Sequence, residues 1–307
     1  MTTLDIALVA EGLKFPEGPV VLGDGSVVLT EIEGKRVVRV SSKGEVETVA
    51  ETGGGPNGLA IGPDGALYVT NNGGSFQFMQ VGGINYSGLT KAEHRGGSIQ
   101  RIDLKTGALT TLYTHCGERK LLAPNDLVFD RQGGFWFTDY GLDYSTHKIY
   151  GALYYATVDG SHIVCPRERI ASPNGVGLSP DEKTLYVSDT LMSRLWAMDV
   201  TAPGSLAAPT IPLVPGRVVA ALPGVQPLDS LAVAASGKVC VATILNGGVT
   251  VFSLDGTVEH FSLPDPVVTN ICFGGPDMRD AWITASGTGR LYKARWPEPG
   301  LRLNFQE

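Results

Sequence analysis

Six short polar signals recur along the chain, each leading into an apolar run: Phe15-Pro16-Glu17-Gly18-Pro19, Pro56-Asn57-Gly58, Pro124-Asn125-Asp126, Pro173-Asn174-Gly175, Pro227-Leu228-Asp229-Ser230 and Val268-Thr269-Asn270. If these are one structural position visited six times, Glu17, Asn57, Asn125, Asn174, Asp229 and Asn270 converge as a ring of oxygen-bearing side chains. Carboxylates and amide carbonyls without Cys or His suit a hard cation such as calcium, magnesium or manganese. A repeated turn accounts for Pro-Asn-Gly, because Asn bonds its own backbone there. It does not account for Glu in the first signal and Asp in the fifth. A carboxylate facing a narrow channel is costly unless it is paired or metal-bound, and the two acids together neutralise one divalent ion. The expected ligand set is Glu17, Asn125, Asn174 and Asp229, which leaves Asn57 and Asn270 for outer positions or substrate. Water completes the coordination and keeps one position open for chemistry.

What must position such a ring is a repeated architecture, and fixed self-similarity is visible in the chain. Pro56-Asn57-Gly58-Leu59-Ala60-Ile61 runs through Pro63-Asp64-Gly65 into Ala66-Leu67-Tyr68-Val69-Thr70, and the segments beginning at Pro124 and Pro173 align with it. Asp-Gly between two hydrophobic runs is a hairpin signal. A third apolar strand follows, as in Arg36-Val37-Val38-Arg39-Val40 and Arg290-Leu291-Tyr292-Lys293-Ala294, then a fourth, as in Gly256-Thr257-Val258-Glu259-His260-Phe261. Four strands per unit and six units predict an all-β fold, a six-bladed β-propeller forming a single domain over 1–307. The last unit has a doubtful fourth strand, and the N-terminal run Leu4 to Ala10 is expected to supply it and close the ring. Loops between second and third strands return to the mouth where the ring lies. Two are enlarged: Asn71 to Gly96, with Phe76, Phe78, Met79 and Tyr86, and Asp139 to Tyr150, with Tyr140, Asp143, Tyr144 and His147. Long loops on a rigid scaffold carry function, here as a lid or pocket wall, or else pack onto the rim as a small satellite core.

With 307 residues, 43% of them apolar and 18% charged, the chain supports a large core. Gly at 40 and Pro at 19 favour many short strands. A net charge of −7 without Lys/Arg clusters argues against nucleic acid as a partner. No run reaches the length of a membrane span, and the N-terminus lacks a basic, apolar leader, so no membrane partner and a cytoplasmic location are expected. Cys116, Cys165, Cys240 and Cys272 follow no metal or redox spacing and are read as reduced structural thiols. The five histidines show no ligand spacing, and neither a G-x-S-x-G elbow nor a P-loop occurs.

Taken together, these motifs resemble the gluconolactonase family, which includes regucalcin (the senescence marker protein), sugar-acid lactonases and, more distantly, diisopropyl fluorophosphatase. The resemblance runs from Pro16-Glu17-Gly18-Pro19 through Pro124-Asn125-Asp126, Pro173-Asn174-Gly175 and Asp189-Thr190 to Thr269-Asn270-Ile271-Cys272-Phe273-Gly274-Gly275-Pro276-Asp277. It implies a six-bladed propeller with one catalytic divalent ion. It carries the metal-binding Glu onto Glu17, an Asn ligand onto Asn174, and an Asp ligand that is also the base onto Asp229. Asn125 matches an Asn that contacts substrate in some members and metal in others, and Asp143 falls where an acidic sugar contact lies. Ala123 stands where the regucalcin-like pattern has an Arg, which argues against gluconolactone itself. No His stands near Asn270, which argues against the fluorophosphatase pattern.

The expectation is a divalent-metal-dependent hydrolase that opens a lactone ring, sugar-derived or related, with a metal-activated water. Asp229 is the catalytic residue, and Asn57, Asn125, Asn270, Tyr140 and Asp143 are the substrate contacts. Calcium is expected first, with magnesium, manganese, zinc or iron as alternatives, in a monomer or small homo-oligomer. Two rivals stand beside this reading: an organophosphate or aryl-ester hydrolase on the same site, and a non-enzymatic calcium-binding propeller.

Overall fold

In every repeat the first two strands pair antiparallel through a tight turn, which contains Gly in all but the fourth, and the innermost strand is buried along most or all of its length because it is covered on both faces by neighbouring repeats. The computed structural model describes residues 2–306, all-β and without a helix among them. Six such sheets form a six-bladed β-propeller. The first blade holds Pro16–Val21, Val27–Glu31, Arg36–Val40 and Val46–Glu51 in that order, from the axis outward. The second holds Pro56–Ile61, Leu67–Asn71, Ser98–Ile102 and Leu109–Tyr113, and the third Pro124–Phe129, Gly134–Asp139, Gly151–Thr157 and Ile163–Ile170.

The fourth blade runs Pro173–Leu178, Thr184–Asp189, Arg194–Ala202, with both Ser205–Leu206 and Arg217–Ala221 pairing the third strand. The fifth runs Leu228–Val233, Val239–Thr243, Gly248–Phe252 and Val258–Ser262, and the N-terminal pair Thr2–Thr3 adds parallel to its outer strand. The sixth runs Val268–Gly274, Asp280–Ala285 and Arg290–Arg295, with Ile6–Ala10 antiparallel on its outside. The N-terminal strand of this blade thus begins at Ile6, two residues later than the apolar pattern suggests.

The core lies between blades. Val20, Val28 and Val37 of the first interdigitate with Leu59, Leu67 and Val69 of the second, and Trp136 and Tyr155 of the third with Val176, Leu185 and Trp196 of the fourth. Burying an aliphatic or aromatic side chain of this size contributes about 1.5–3 kcal/mol, so adjacent blades are held face to face chiefly by apolar area. At the far end of the axis the C-terminal segment crosses the channel. Leu301 N–H donates to Val233 O at 2.8 Å, Asn304 Nδ2 to Phe129 O at 3.1 Å and Gln306 Nε2 to Phe273 O at 2.8 Å, tying the fifth, third and sixth blades. All four cysteines are free. No helix among the described residues is long and apolar enough to cross a membrane.

Candidate metal centre

Each innermost strand carries an irregularity at the ring residue. Pairing with the second strand breaks between Pro56 and Leu59, Pro124 and Leu127, Pro173 and Val176, Leu228 and Leu231, Glu17 and Val20, and Val268 and Asn270. A bulge of this kind bends the strand and re-aims a side chain. The polar signals are therefore not turns in front of strands but bulged strand starts. Pro56, Pro124 and Pro173 each occupy the first strand residue, a position that tolerates a missing ladder donor.

The bulges bring Glu17, Asn57, Asn125, Asn174 and Asp229, all buried, to one chamber of about 70 Å³ at the mouth of the axis. Phe15, Ile32, Phe76 and Ile244 supply its apolar wall, and Tyr140, Thr190, Ser87, Gly88 and Thr269 complete the lining. A larger cavity of about 140 Å³ lies deeper in the channel, but its walls are mostly aliphatic, with Val20, Leu59, Val128 and Leu231 among them. The concentration of buried oxygen donors is in the smaller chamber.

Glu17 Oε2 accepts from Gly18 N–H at 2.5 Å and from Asn270 Nδ2 at 2.7 Å, while its Oε1 is buried without a partner. Asn125 Oδ1 is likewise buried and unpartnered. Asn174 Nδ2 donates to Thr190 Oγ1 at 3.2 Å, and its Oδ1 accepts from Ser230 Oγ at 3.3 Å. Burial, then the nearby charges of Asp229 and Asp126, pushes Glu17 well above the ordinary carboxylate range. Burial likewise raises Asp229, partly offset by a hydrogen bond from Asn174 and reinforced by Asp126. Two mutually repelling carboxyl groups beside two orphaned amide and carboxyl oxygens are what a divalent cation would satisfy. The donor set is all oxygen, which fits a hard ion. Among the described residues no three His, Cys, Asp or Glu side chains converge as ligands, because half of this set is amide.

Asn270 stands apart from the chamber lining: its Nδ2 is given to Glu17 and its Oδ1 accepts from Ile271 N–H at 2.7 Å. Asp143 also lies outside the lining, on the short strand Leu142–Asp143, and its N–H donates to Thr90 Oγ1 at 2.9 Å. Tyr140 faces the chamber, its phenol held by burial above the ordinary value and so a neutral donor. Lys148 Nζ sits 4.8 Å over the Tyr140 ring.

The enlarged second-blade loop folds into a hairpin, Phe76–Val81 with Ile84–Thr90, laid across the mouth. Asn85 donates through N–H to Gly287 O at 2.9 Å and through Nδ2 to Glu33 Oε2 at 2.8 Å, reaching the sixth and first blades. Phe78 packs on Phe15 with ring centres 5.1 Å apart, and Phe76 meets Tyr140 edge-on at 5.8 Å. Phe15, Ile32, Thr190 and Ile244 carry no polar pattern that sequence reasoning singles out as a pocket wall. Phe15 alone offers a clue, standing beside the first signal, where its φ of 58° is rare for a bulky residue.

Residues 15–287 match the family model described as the SMP-30/gluconolactonase/LRE-like region. Lactonase drp35 of Staphylococcus saprophyticus is 30% identical over 249 residues, covering 80% of this chain and 67% of that protein. Among solved structures, a gluconolactonase from Xanthomonas campestris superposes with a TM-score of 0.72 at 24% identity, covering 95% of this chain and 89% of the other. Regucalcin from Agrobacterium tumefaciens, described as a calcium-binding protein, superposes with a TM-score of 0.72 at 17% identity, covering 99% of this chain and 100% of the other. At such identities the superpositions speak for the fold, whereas the match over most of the sequence speaks for descent. The chain belongs to the SMP-30/gluconolactonase/LRE-like family.

Proposed function

We propose that this protein hydrolyses lactones with the help of one divalent cation, calcium first, held by Glu17, Asn125, Asn174 and Asp229. The observation that carries the reading is the pair of buried, unpartnered acceptors, Glu17 Oε1 and Asn125 Oδ1, in the chamber that also holds the Asp229 carboxyl. When bound, the cation would polarise the lactone carbonyl and stabilise negative charge on its oxygen. Asp229 takes a proton from the attacking water as the new carbon–oxygen bond forms. The ring carbon–oxygen bond then breaks, and the proton passes to the departing ring oxygen, giving the open hydroxy acid. A buried carboxylate is a stronger base than a solvated one, which suits the task.

Asn57 and the Tyr140 phenol orient substrate oxygens from the chamber wall, and Asn270 acts through Glu17, whose carboxylate it holds. Asp143, one residue past Leu142 and hydrogen-bonded to the hairpin, contacts substrate when the hairpin is displaced. Ile6–Ala10 serves as the outer strand that closes the ring of blades. Names of relatives support the reaction class: lactonase for a curated relative and gluconolactonase for a structural neighbour. The apolar wall of Phe15, Ile32, Phe76 and Ile244 favours a second reading, an aryl ester or arylated substrate on the same machinery.

The test is acid release from a lactone panel by purified protein with calcium, after exhaustive chelation, and after calcium is restored. Loss and recovery of turnover are expected. Full turnover by protein shown to be metal-free by elemental analysis overturns the cation's role, and no turnover of any lactone overturns the reaction.

A further inference from the structure

The bulges that aim the ring side chains inward also turn their main-chain carbonyls sideways, toward the preceding blade. A buried hydroxyl meets each of four of them. Thr30 Oγ1 of the first blade donates to Asn57 O of the second at 2.6 Å, and Thr70 Oγ1 of the second to Asn125 O of the third at 2.5 Å. Thr138 Oγ1 of the third donates to Asn174 O of the fourth, and Ser188 Oγ of the fourth to Asp229 O of the fifth at 2.6 Å. In three of these blades the same hydroxyl accepts the N–H freed by its own blade's bulge: Gly58 at 2.9 Å, Asp126 at 3.1 Å and Gly175 at 2.8 Å. From the sixth blade, Thr269 and Ser286 reach Pro16 O, next to Glu17, at 3.1 and 2.5 Å. The step from the fifth blade differs. Thr243 bonds within its own blade, to Val241 O and Thr250 Oγ1, and the ring residue it would have served is Asn270.

We propose that the inter-blade hydroxyls that end on or beside the ligand residues set the geometry of the cation site, and that Ser188 and Thr138 are positioning residues for Asp229 and Asn174. The inference rests on the cation reading given above. Apolar packing holds blades together without fixing their relative height along the axis, because it is non-directional. A hydrogen bond from a fully buried hydroxyl to one carbonyl is directional. An unbonded hydroxyl at such a place is costly, so valine would serve packing alone equally well. The clasps terminate on, or beside, each residue of the ligand set, and the step without one leads to the ring residue outside the chamber. Ligands brought from four blades need sub-ångström agreement, which the clasps supply through the main chain of the ligand residues themselves.

Calcium titration of metal-free protein by isothermal calorimetry tests this. Ser188→Ala and the volume-conserving Thr138→Val are each expected to weaken calcium roughly tenfold, in line with other residues that orient metal ligands. Ser188→Thr should restore affinity to within about twofold of wild type, since it keeps the donor. Thr30→Val is the control: it breaks the clasp on Asn57, outside the ligand set, and should lower the melting temperature while leaving calcium affinity unchanged. Wild-type affinity in both Ser188→Ala and Thr138→Val overturns the positioning role, as does an equal loss in Thr30→Val. A wild-type protein that binds no divalent cation overturns the cation reading and the positioning role with it. Intact clasp effects without turnover of any lactone overturn the lactonase reading alone.

Discussion

The amide of Asn270, in the sixth blade, donates a 2.7 Å hydrogen bond to Oε2 of Glu17, in the first, joining residues 253 positions apart. The bond turns the other carboxylate oxygen, Oε1, into the buried and unpartnered acceptor of the chamber. Replacing Asn270 by Leu removes the donor that fixes Glu17 while keeping similar volume. Calcium affinity measured by calorimetry is expected to fall roughly tenfold, and lactone turnover with it, the size of effect typical of groups that orient metal ligands. Unaltered affinity would show that Glu17 is held without Asn270.

Asp229 combines ligand and base. Asp229→Asn keeps shape and an oxygen donor but removes the negative charge and the proton acceptor. Turnover is expected to drop by about 10²–10⁴, the range for loss of a general base, with the fold retained by circular dichroism. A variant with more than a tenth of wild-type kcat would exclude Asp229 as the base.

The hairpin over the mouth should control access. Phe76→Ala deletes its edge-on contact with Tyr140 and opens the apolar wall, without touching any proposed ligand. KM for lactones is expected to rise roughly fivefold, about 1 kcal/mol of lost binding at 1.4 kcal/mol per tenfold. Calcium affinity should stay as in wild type, and a change in it would place Phe76 in the cation site instead.

Asp139 has a purely architectural task. Its carboxylate accepts from Leu122, Ala123 and Gly141 N–H at 2.6, 2.8 and 3.0 Å, which shapes the loop leading to Asn125 and the turn carrying Tyr140. Burial raises its proton affinity, and these three donors pull it back. Asp139→Ala leaves three main-chain donors unserved and is expected to cost at least about 3 kcal/mol in urea unfolding, at about 1–3 kcal/mol for each donor left buried. A loss under 1 kcal/mol would mean that water replaces the carboxylate.

His260, on the outer strand of the fifth blade, has its imidazole held below the ordinary value by burial, partly offset by the carbonyls of Asn246 and Gly247. A depressed histidine favours the folded state while neutral. Its contribution is present above the unfolded value near 6.5 and is lost as pH falls through the folded one. His260→Gln should therefore show a shallower decline of melting temperature between pH 7 and 5 than wild type, and a parallel decline would remove His260 from the acid response.

Much of the fold is legible in the chain because propeller repeats are local. Each Pro-Asn-Gly or Pro-Asn-Asp signal, the hairpin turn after it and the apolar alternation around it lie within a few tens of residues, so Pro56 to Thr70, Pro124 to Asp139 and Pro173 to Asp189 declare themselves as one unit. The departures at Glu17 and Asp229 are visible for the same reason: repetition supplies its own reference. What composition and spacing leave blank is whatever depends on contacts between blades. The Ser188 and Thr138 hydroxyls look like ordinary strand residues until the neighbouring blade presents a carbonyl to them. Asn270 belongs to the ring by sequence, yet ring closure turns its amide onto Glu17 and not into the chamber. By itself the sequence determined the repeat, the strand order and which oxygens are available, because those follow from local backbone and side-chain chemistry. Only the tertiary structure decided which of those oxygens share one chamber, which are left unpartnered there and which are spent holding the others, because all three are set by the packing of residues distant in the chain.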